Sequence, residues 1–342
     1  MNISLKPLNE QIIVLTGASS GIGLATARTA ARRGAKLVLA SRNDEALAKL
    51  ENEITSAGGQ AIHVVADVGR REDVQRIADA AYERFGGFDT WVNDAGVSIW
   101  GRLEEVSDED HHRLFQTNFW GVVYGSLVAT KTLRARGGAL INLGSAVSDQ
   151  AVPIQGMYSA SKHAVKGFTD ALRMELEHDK APVSVTLIKP AAIDTPFTQH
   201  AKNYTPNQPT LPPPVYHPDE VAMAILYAAT HPKRDIYVGS GAKLMSVSNK
   251  SMPHLMDRVN SRLTYAGQLR KGPAGDREGA LHAAGKDGRV RGDHHGMVMK
   301  RSFYTRASLH PVWTGAAVAA AVGAGVAAIG LMSREKRTYQ WD

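Results

Sequence analysis

Tyr158 and Lys162 stand four residues apart in the run Tyr158-Ser159-Ala160-Ser161-Lys162-His163. On a helix that spacing puts two side chains one turn apart on the same face. An ammonium near a phenol favours the phenolate and lowers its proton affinity from the ordinary value of about 10 toward neutrality. A tyrosine tuned in this way can pass a proton to or from a substrate oxygen. Alone the pair says little, because solvated Tyr/Lys pairs occur on many surface helices. A feature upstream changes its weight.

That feature is Gly17-Ala18-Ser19-Ser20-Gly21-Ile22-Gly23. It follows an apolar, β-branched run, 11–16, and precedes an alanine-rich helical pattern, 24–33, closed by Gly34. Strand, glycine turn and helix make the setting that a dinucleotide-binding loop needs. Glycines allow the tight turn and let backbone approach a pyrophosphate, and the helix start adds N–H groups and a favourable dipole. The spacing is Gly-x-x-x-Gly-x-Gly, not the commoner Gly-x-Gly-x-x-Gly.

Thr16-Gly17-x-x-x-Gly21-Ile22-Gly23 followed by Tyr158-x-x-x-Lys162 closely resembles the short-chain dehydrogenases/reductases. The resemblance covers roughly residues 8–240. Asp67 ends a third apolar run, 61–66, and Asn93-Asp94-Ala95-Gly96 ends a fourth, 88–92. Ser145 ends a fifth, 139–143, and Pro190-Ala191-Ala192-Ile193-Asp194-Thr195 ends a sixth, 183–188. Asn118 falls near the middle of a long helical stretch. Strands alternating with helices predict an α/β fold with a doubly wound parallel sheet of Rossmann type.

The resemblance implies a catalytic set of Asn118, Ser145, Tyr158 and Lys162. Tyr158 is the expected general acid/base. Lys162 lowers its pKa and holds the nicotinamide ribose. Ser145 donates a hydrogen bond to the substrate oxygen. Asn118 holds a water that connects Lys162 to solvent protons. The expected cofactor contacts are Gly17, Ser19, Ser20, Gly21, Ile22 and Gly23 in the loop, with Ser41 and Arg42 after the second strand. They continue with Asp67, Val68, Asn93, Ala95, Gly96, Tyr158, Lys162, Pro190, Ile193 and Thr195. Two positions depart from the family pattern. Asp94 replaces an asparagine, putting a carboxylate where an amide usually helps brace the sheet centre. Ala191 replaces a glycine and removes freedom at a turn.

A site specific for NAD usually carries an acidic residue at the end of the second strand. Here Ser41 and Arg42 stand there, so no carboxylate repels a 2′-phosphate and a guanidinium can pair with it. NADP(H) is the expected cofactor, unless Arg42 is only a solvated loop cation. The expected substrate is an apolar alcohol or carbonyl compound, covered by a mobile loop over 195–218 that carries Phe197, Tyr204, Leu211, Val215 and Tyr216.

The 342 residues hold no cysteine, which excludes disulfides, thiolate metal sites and cysteine nucleophiles. No histidine spacing resembles a metal site. The net charge of +7 resides in the C-terminal extension, while residues 1–240 are close to balanced. No aromatic platform or nucleic-acid motif accompanies that charge, so no nucleic-acid partner is expected. The expected organisation is a catalytic domain at 8–240, a helical extension at 241–270, a basic flexible linker at 271–311 and a transmembrane helix at 312–332. In the extension Leu255, Met256, Val259 and Leu263 predict an amphipathic helix packed on the catalytic domain. Residues 312–332 are uncharged and just long enough to cross a bilayer. The alternative is an apolar helix that packs on another chain or on itself. With no secretory signal at the start and a need for NADPH, the catalytic domain is expected in the cytoplasm, with a membrane lipid contact through the C-terminus. Two helical stretches, about 108–133 and 155–178, pair subunits in relatives, so the resemblance implies a homodimer or homotetramer. The rival reading is a membrane-tethered nucleotide-binding or sensor protein without turnover.

Overall fold

The computed structural model describes residues 3–286, 288–310 and 314. Seven short strands form one parallel sheet: β1 (Ile12–Thr16), β2 (Lys36–Ser41), β3 (Gln60–Val65), β4 (Thr90–Asn93), β5 (Gly138–Leu143), β6 (Val183–Pro190) and β7 (Asp235–Val238). Their spatial order is β7-β6-β5-β4-β1-β2-β3. Parallel neighbours need crossovers, and helices supply them. These are α1 (Gly21–Arg32), α2 (Asp44–Ser56), α3 (Arg71–Phe85), α4 (Asp108–Phe115), α5 (Gly121–Arg136), α6 (Gly156–His178) and α7 (Pro218–Ala228). A further helix, α8 (Ser240–Ser251), follows β7.

The period-2 alternation of the strands splits the core into two layers. Ile13, Leu15, Leu37 and Leu39 pack with Leu24 and Ala27 of α1, Leu47 and Leu50 of α2, and Val221 and Ile225 of α7. Val14, Val38 and Trp91 face the other way, onto Ile77 of α3, Leu133 of α5 and Leu172 of α6. At β1 the strand order reverses, because β2 lies on one side of it and β4 on the other. A crevice opens at such a switch point, beyond the carboxyl ends of the strands.

The helical stretch around Asn118 is not a regular α-helix. Between α4 and α5 the chain makes a π-turn, Gln116–Trp120. Asn118 lies in this turn and is fully buried. Such turns inside helices often mark functional sites.

The extension forms its helices, Ser240–Ser251 and Pro253–Val259, but the expected apolar face is not sequestered. Leu255 and Leu263 stay exposed, and no residue of Pro253–Val259 is buried. Residues 271–311 were expected as a flexible linker, and the described part is packed instead. Leu269–Pro273 pairs antiparallel with Asn207–Pro209, and Val298–Met299 pairs with Val215–Tyr216. The helix Phe303–Leu309 rests on α7, where Tyr227 donates to the Leu309 carbonyl at 2.6 Å. A segment too polar to build its own core is ordered by the domain beneath it, which buries Leu281 and Leu309 and meets its polar groups. No described helix is long and apolar enough to cross a membrane. The expected membrane helix at 312–332 lies, except for Thr314, outside the described residues.

Candidate active site

The glycine loop turns from β1 into α1 at the switch point. Gly17 and Gly21 have positive φ, 76° and 53°, which glycine adopts without strain. A side chain at Gly23 would bring its Cβ within 2.2 Å of the Gly17 carbonyl oxygen, so the turn closes only with glycine there. Ser20 gives α1 no side-chain cap. The amides of such an uncapped start complement an anion. Thr16, at the end of β1, accepts from the amides of Asp94 at 3.2 Å and Ala95 at 3.3 Å and so ties the loop after β4 to the glycine loop.

These loops wall a cleft. Gly17, Ser19, Ser20, Gly21 and Ile22 line one side. Ser41, Arg42, Asp67 and Val68 line the adjoining end, and Ala95, Gly96 and Thr195 also line it, Ala95 packing against Gly17 and Thr195 against Gly21. Gly23, Asn93, Tyr158, Lys162, Pro190 and Ile193, also expected as cofactor contacts, are not on this wall. Gly23 is buried in the first turn of α1, Pro190 ends β6, and the buried Ile193 pairs with Tyr216 in a small sheet. The Asn93 amide is buried under the sheet. Its Oδ1 accepts from Trp91 Nε1 and its Nδ2 donates to Asn142 Oδ1, both at 2.8 Å. Asn93 therefore braces the sheet centre, a part the sequence had suggested for position 94.

Asp94 points instead toward the start of α1, where the Gly23 amide supports its carboxylate. Burial pushes its pKa up to about 7, against the pull of Lys162 and of the Gly23 amide. The turn after Pro190 accepts alanine, because Ala191 is not among the residues with positive φ.

The proton-transfer residues lie beside the cleft. Ser145 caps a single helical turn, Ala146–Ser148, with reciprocal Ser145 and Ser148 bonds. Tyr158 and Lys162 occupy the first turns of α6. Lys162 Nζ donates to the Leu143 carbonyl at 2.8 Å and lies 5.8 Å from the Tyr158 ring centroid. Phe197 meets the Tyr158 ring edge-on at 5.4 Å. The expected lowering of the Tyr158 pKa toward neutrality is not found. Burial pushes the phenol up to about 12, although a Ser145 hydrogen bond acts the other way. Burial also pulls Lys162 down to about 8, while the Asp94 carboxylate opposes the fall. Desolvation, joined by the Asp94 carboxylate, outweighs the Ser145 hydrogen bond at the buried phenol.

Asn118 is committed to protein groups. Its Oδ1 accepts from the Val97 amide at 2.8 Å, and its Nδ2 donates to the Val97 carbonyl at 2.9 Å. This side chain locks the loop after β4 onto the π-turn.

Arg42 does not point into solvent. Its guanidinium donates to the carbonyls of Leu281, at 3.1 Å, and Ala280. Arg113 donates to Asp67 Oδ2 at 2.6 Å and to the Leu281 carbonyl at 3.2 Å. Burial and the neighbouring Arg113 hold the Arg42 pKa below its usual value, while Asp67 acts against them. Two cations thus share one carboxylate at this end of the cleft. Sequence reading missed Asn43, Ser98 and His200 on the wall, and it missed Ala280, Ala284, Gly285 and Gly288, which close the cleft from the C-terminal side. The recurring glycines at 285, 288 and 292 were the available signal, since they let a backbone pass close to another surface.

A parallel sheet with a glycine loop at its switch point and a Tyr-x-x-x-Lys pair beside it defines a class, the dinucleotide-binding α/β proteins. The short chain dehydrogenase family profile matches residues 11–205, more than half of the chain, and the chain belongs to this family. It is 49% identical over 324 residues to "Uncharacterized oxidoreductase YxnA" of Bacillus subtilis (strain 168), covering 94% of this chain and 91% of that one. A span of that length also takes in the segment that closes the cleft. The crystal structure of a short chain dehydrogenase/reductase from Burkholderia phymatum in complex with NAD matches with a TM-score of 0.66 and 27% identity. That match covers 74% of this chain and 97% of the other. The alcohol dehydrogenase of the archaeon Thermococcus sibiricus, complexed with 5-hydroxy-NADP, matches with a TM-score of 0.59 and 29% identity, over 66% and 95% of the two chains.

Proposed function

We propose that this protein is an oxidoreductase that interconverts an apolar alcohol and its carbonyl compound with NADP(H). The observation that carries the reading is the placement of Tyr158, Ser145 and Lys162 beside a glycine-loop cleft at the switch point of the sheet. The glycine-loop cleft suits a nicotinamide dinucleotide: it lies at the start of α1, where the Gly21 amide, which now donates to the Arg289 carbonyl, would turn to a pyrophosphate. When bound, the nicotinamide supplies or accepts the hydride. The residues of the chain do the rest. Gly17 to Ile22 hold the phosphates, and Ser41 and Arg42 receive the 2′-phosphate. Ser145 donates to the substrate oxygen and fixes its position. Tyr158 moves the proton at that oxygen. Burial holds the phenol neutral at pH 7, so it carries the proton that reduction of a carbonyl places on the substrate oxygen. Trp100, Ile154 and Phe197 form an apolar cluster next to Tyr158, which supports an apolar substrate.

Replacing Tyr158 with phenylalanine tests this. Carbonyl reduction, followed by loss of NADPH absorbance, should fall by about 100-fold or more. NADPH binding, followed by fluorescence, should persist. Near-normal turnover in the variant would refute the assignment. A wild-type protein that binds the nucleotide but turns over no carbonyl compound would favour the rival binding or sensor role.

The second part of the proposal is a membrane anchor at 312–332, with the catalytic domain in the cytoplasm. Its support is the uncharged stretch with basic residues on both flanks. Fractionation of the full chain against one ending at Pro311 tests it. The full chain should stay with membranes through salt and carbonate washes, and equal solubility of the two would sink the idea.

A further inference from the structure

The cleft has a wall that lies outside the matched family region. Residues 280–286 and 288–292 run along its open side as a strap. At one end Leu281 is fully buried among Val97, Ile99, Val106 and Leu114. Its carbonyl receives Arg42 and Arg113. His282 Nε2 meets Asp110 Oδ1 of α4 at 2.6 Å. Further along, the Gly285 carbonyl accepts from the Asn43 side chain. Gly288, with φ of 47°, passes beside Ala46 and the Ser19 carbonyl. The Gly21 amide, first in α1, donates to the Arg289 carbonyl at 2.9 Å. At the far end Arg291 Nε donates to Asp194 Oδ2 at 2.8 Å, and Asp194 is almost fully buried. A Cβ at Gly292 would lie 2.3 Å from the Thr195 carbonyl oxygen, so the strap crosses this loop backbone against backbone.

We propose that this strap is a fourth wall of the nucleotide site, which encloses the dinucleotide and must lift for it to leave. The proposal rests on the nicotinamide-nucleotide reading of the cleft. Its contacts touch the glycine loop and the Ser41–Asn43 corner, which the cofactor reading assigns to phosphates, and the loop of Thr195, a further expected cofactor contact. Ala280, Ala284, Gly285 and Gly288 line the same cleft as Ser19 and Arg42. These strap residues are small, and strap carbonyls hold the Arg42 guanidinium and the Gly21 amide, so a bound nucleotide takes over these two donors while the strap stays anchored at its ends. The strap is fixed at both ends, by Leu281 and by Arg291, and crosses the middle through glycines. Release of the nucleotide therefore requires the end contacts to break, and exchange is slow compared with an open cleft.

The test uses the full chain. NADPH is pre-bound and displaced with excess NADP, and the release rate is read from NADPH fluorescence. Gly292→Val should raise that rate about tenfold, because binding changes between related sites appear mainly in release. His282→Ala, at a partly exposed side chain, should raise it as well and guards against a misfolded first variant. Limited trypsin digestion supplies a second readout at Lys286, Arg289 and Arg291. Saturating NADPH should protect these bonds in the wild type and protect them less in both variants. NADPH binding with unchanged release in both variants and unprotected bonds overturns the strap alone. Faster cleavage with NADPH also overturns it, because the strap would then compete with the nucleotide. Failure of both NADPH and NADH to bind would overturn the cofactor reading together with the strap.

Discussion

Arg42 donates to the carbonyl of Leu281 at 3.1 Å, although 239 residues separate them in the chain. The residue expected to select the cofactor thus also holds the strap. Ser41 and Arg42 line the cleft, and Arg113 stands beside Arg42. Two guanidinium groups against the single Asp67 carboxylate leave an excess of positive charge for a 2′-phosphate. Arg42→Asp reverses the charge at the key position. Its NADPH affinity should fall by about 2 kcal/mol more than its NADH affinity, roughly thirtyfold in Kd. Fluorescence titration with both nucleotides measures this. A wild type that already prefers NADH would show the reading of Ser41-Arg42 to be wrong.

Asp94 gives the site a titration near neutral pH. Its carboxyl is held at about 7 by burial, with Lys162 at about 8 close by. An Asp94→Asn change removes the first titration. It also takes away the charge that raises the Tyr158 and Lys162 pKa values, so both should fall. The pH–rate profile of carbonyl reduction should lose its break near 7 in the variant. An unchanged profile would show that Asp94 does not report on the proton-transfer groups.

The same group makes stability depend on pH. The folded pKa of Asp94 lies above the ordinary 3.8. Between those values the folded state binds the proton and the unfolded state does not, so this group lowers stability as pH rises from about 4 to 7. Asp94→Asn should therefore gain stability relative to wild type over that interval, by about 1–2 kcal/mol because the side chain keeps partial exposure. Thermal melts at pH 4 and pH 7.5 measure it. A difference between variant and wild type that is the same at both values would exclude the linkage.

The helical stretch of α4 and α5, and α6, are the proposed subunit contact. Trp120, Leu127 and Met174 are exposed apolar side chains on these elements, and Trp120 stacks on Tyr124 at 5.7 Å. Exposed apolar side chains on these helices suit contact with a second copy. The full chain should scatter light as a dimer or tetramer, and Leu127→Glu should shift it toward monomer. A monomeric wild type at micromolar concentration would end this proposal.

Short-range pattern was enough to read six of the seven strands, the glycine turn, and the Tyr158 and Lys162 spacing on α6. Each depends on contacts within a few residues: alternation on a strand, a turn that only glycine makes, one helical repeat. β7 escaped, because Asp235–Val238 is short and becomes a strand only through its pairing with β6. Tertiary structure decided the rest. It placed Asn93 rather than position 94 in the brace with Trp91 and Asn142, since that depends on which side chain the turn aims inward. It raised the Tyr158 pKa, since burial is a property of everything packed around α6. It also turned residues 280–286 and 288–292 from an apparent linker into a wall. Their composition cannot support a core of their own, and their order comes from the apolar pocket of Val97, Ile99, Val106 and Leu114 around Leu281 and from Arg42, Arg113, Asn43, Gly21 and Asp194, partners distant in the chain that only the fold brings together.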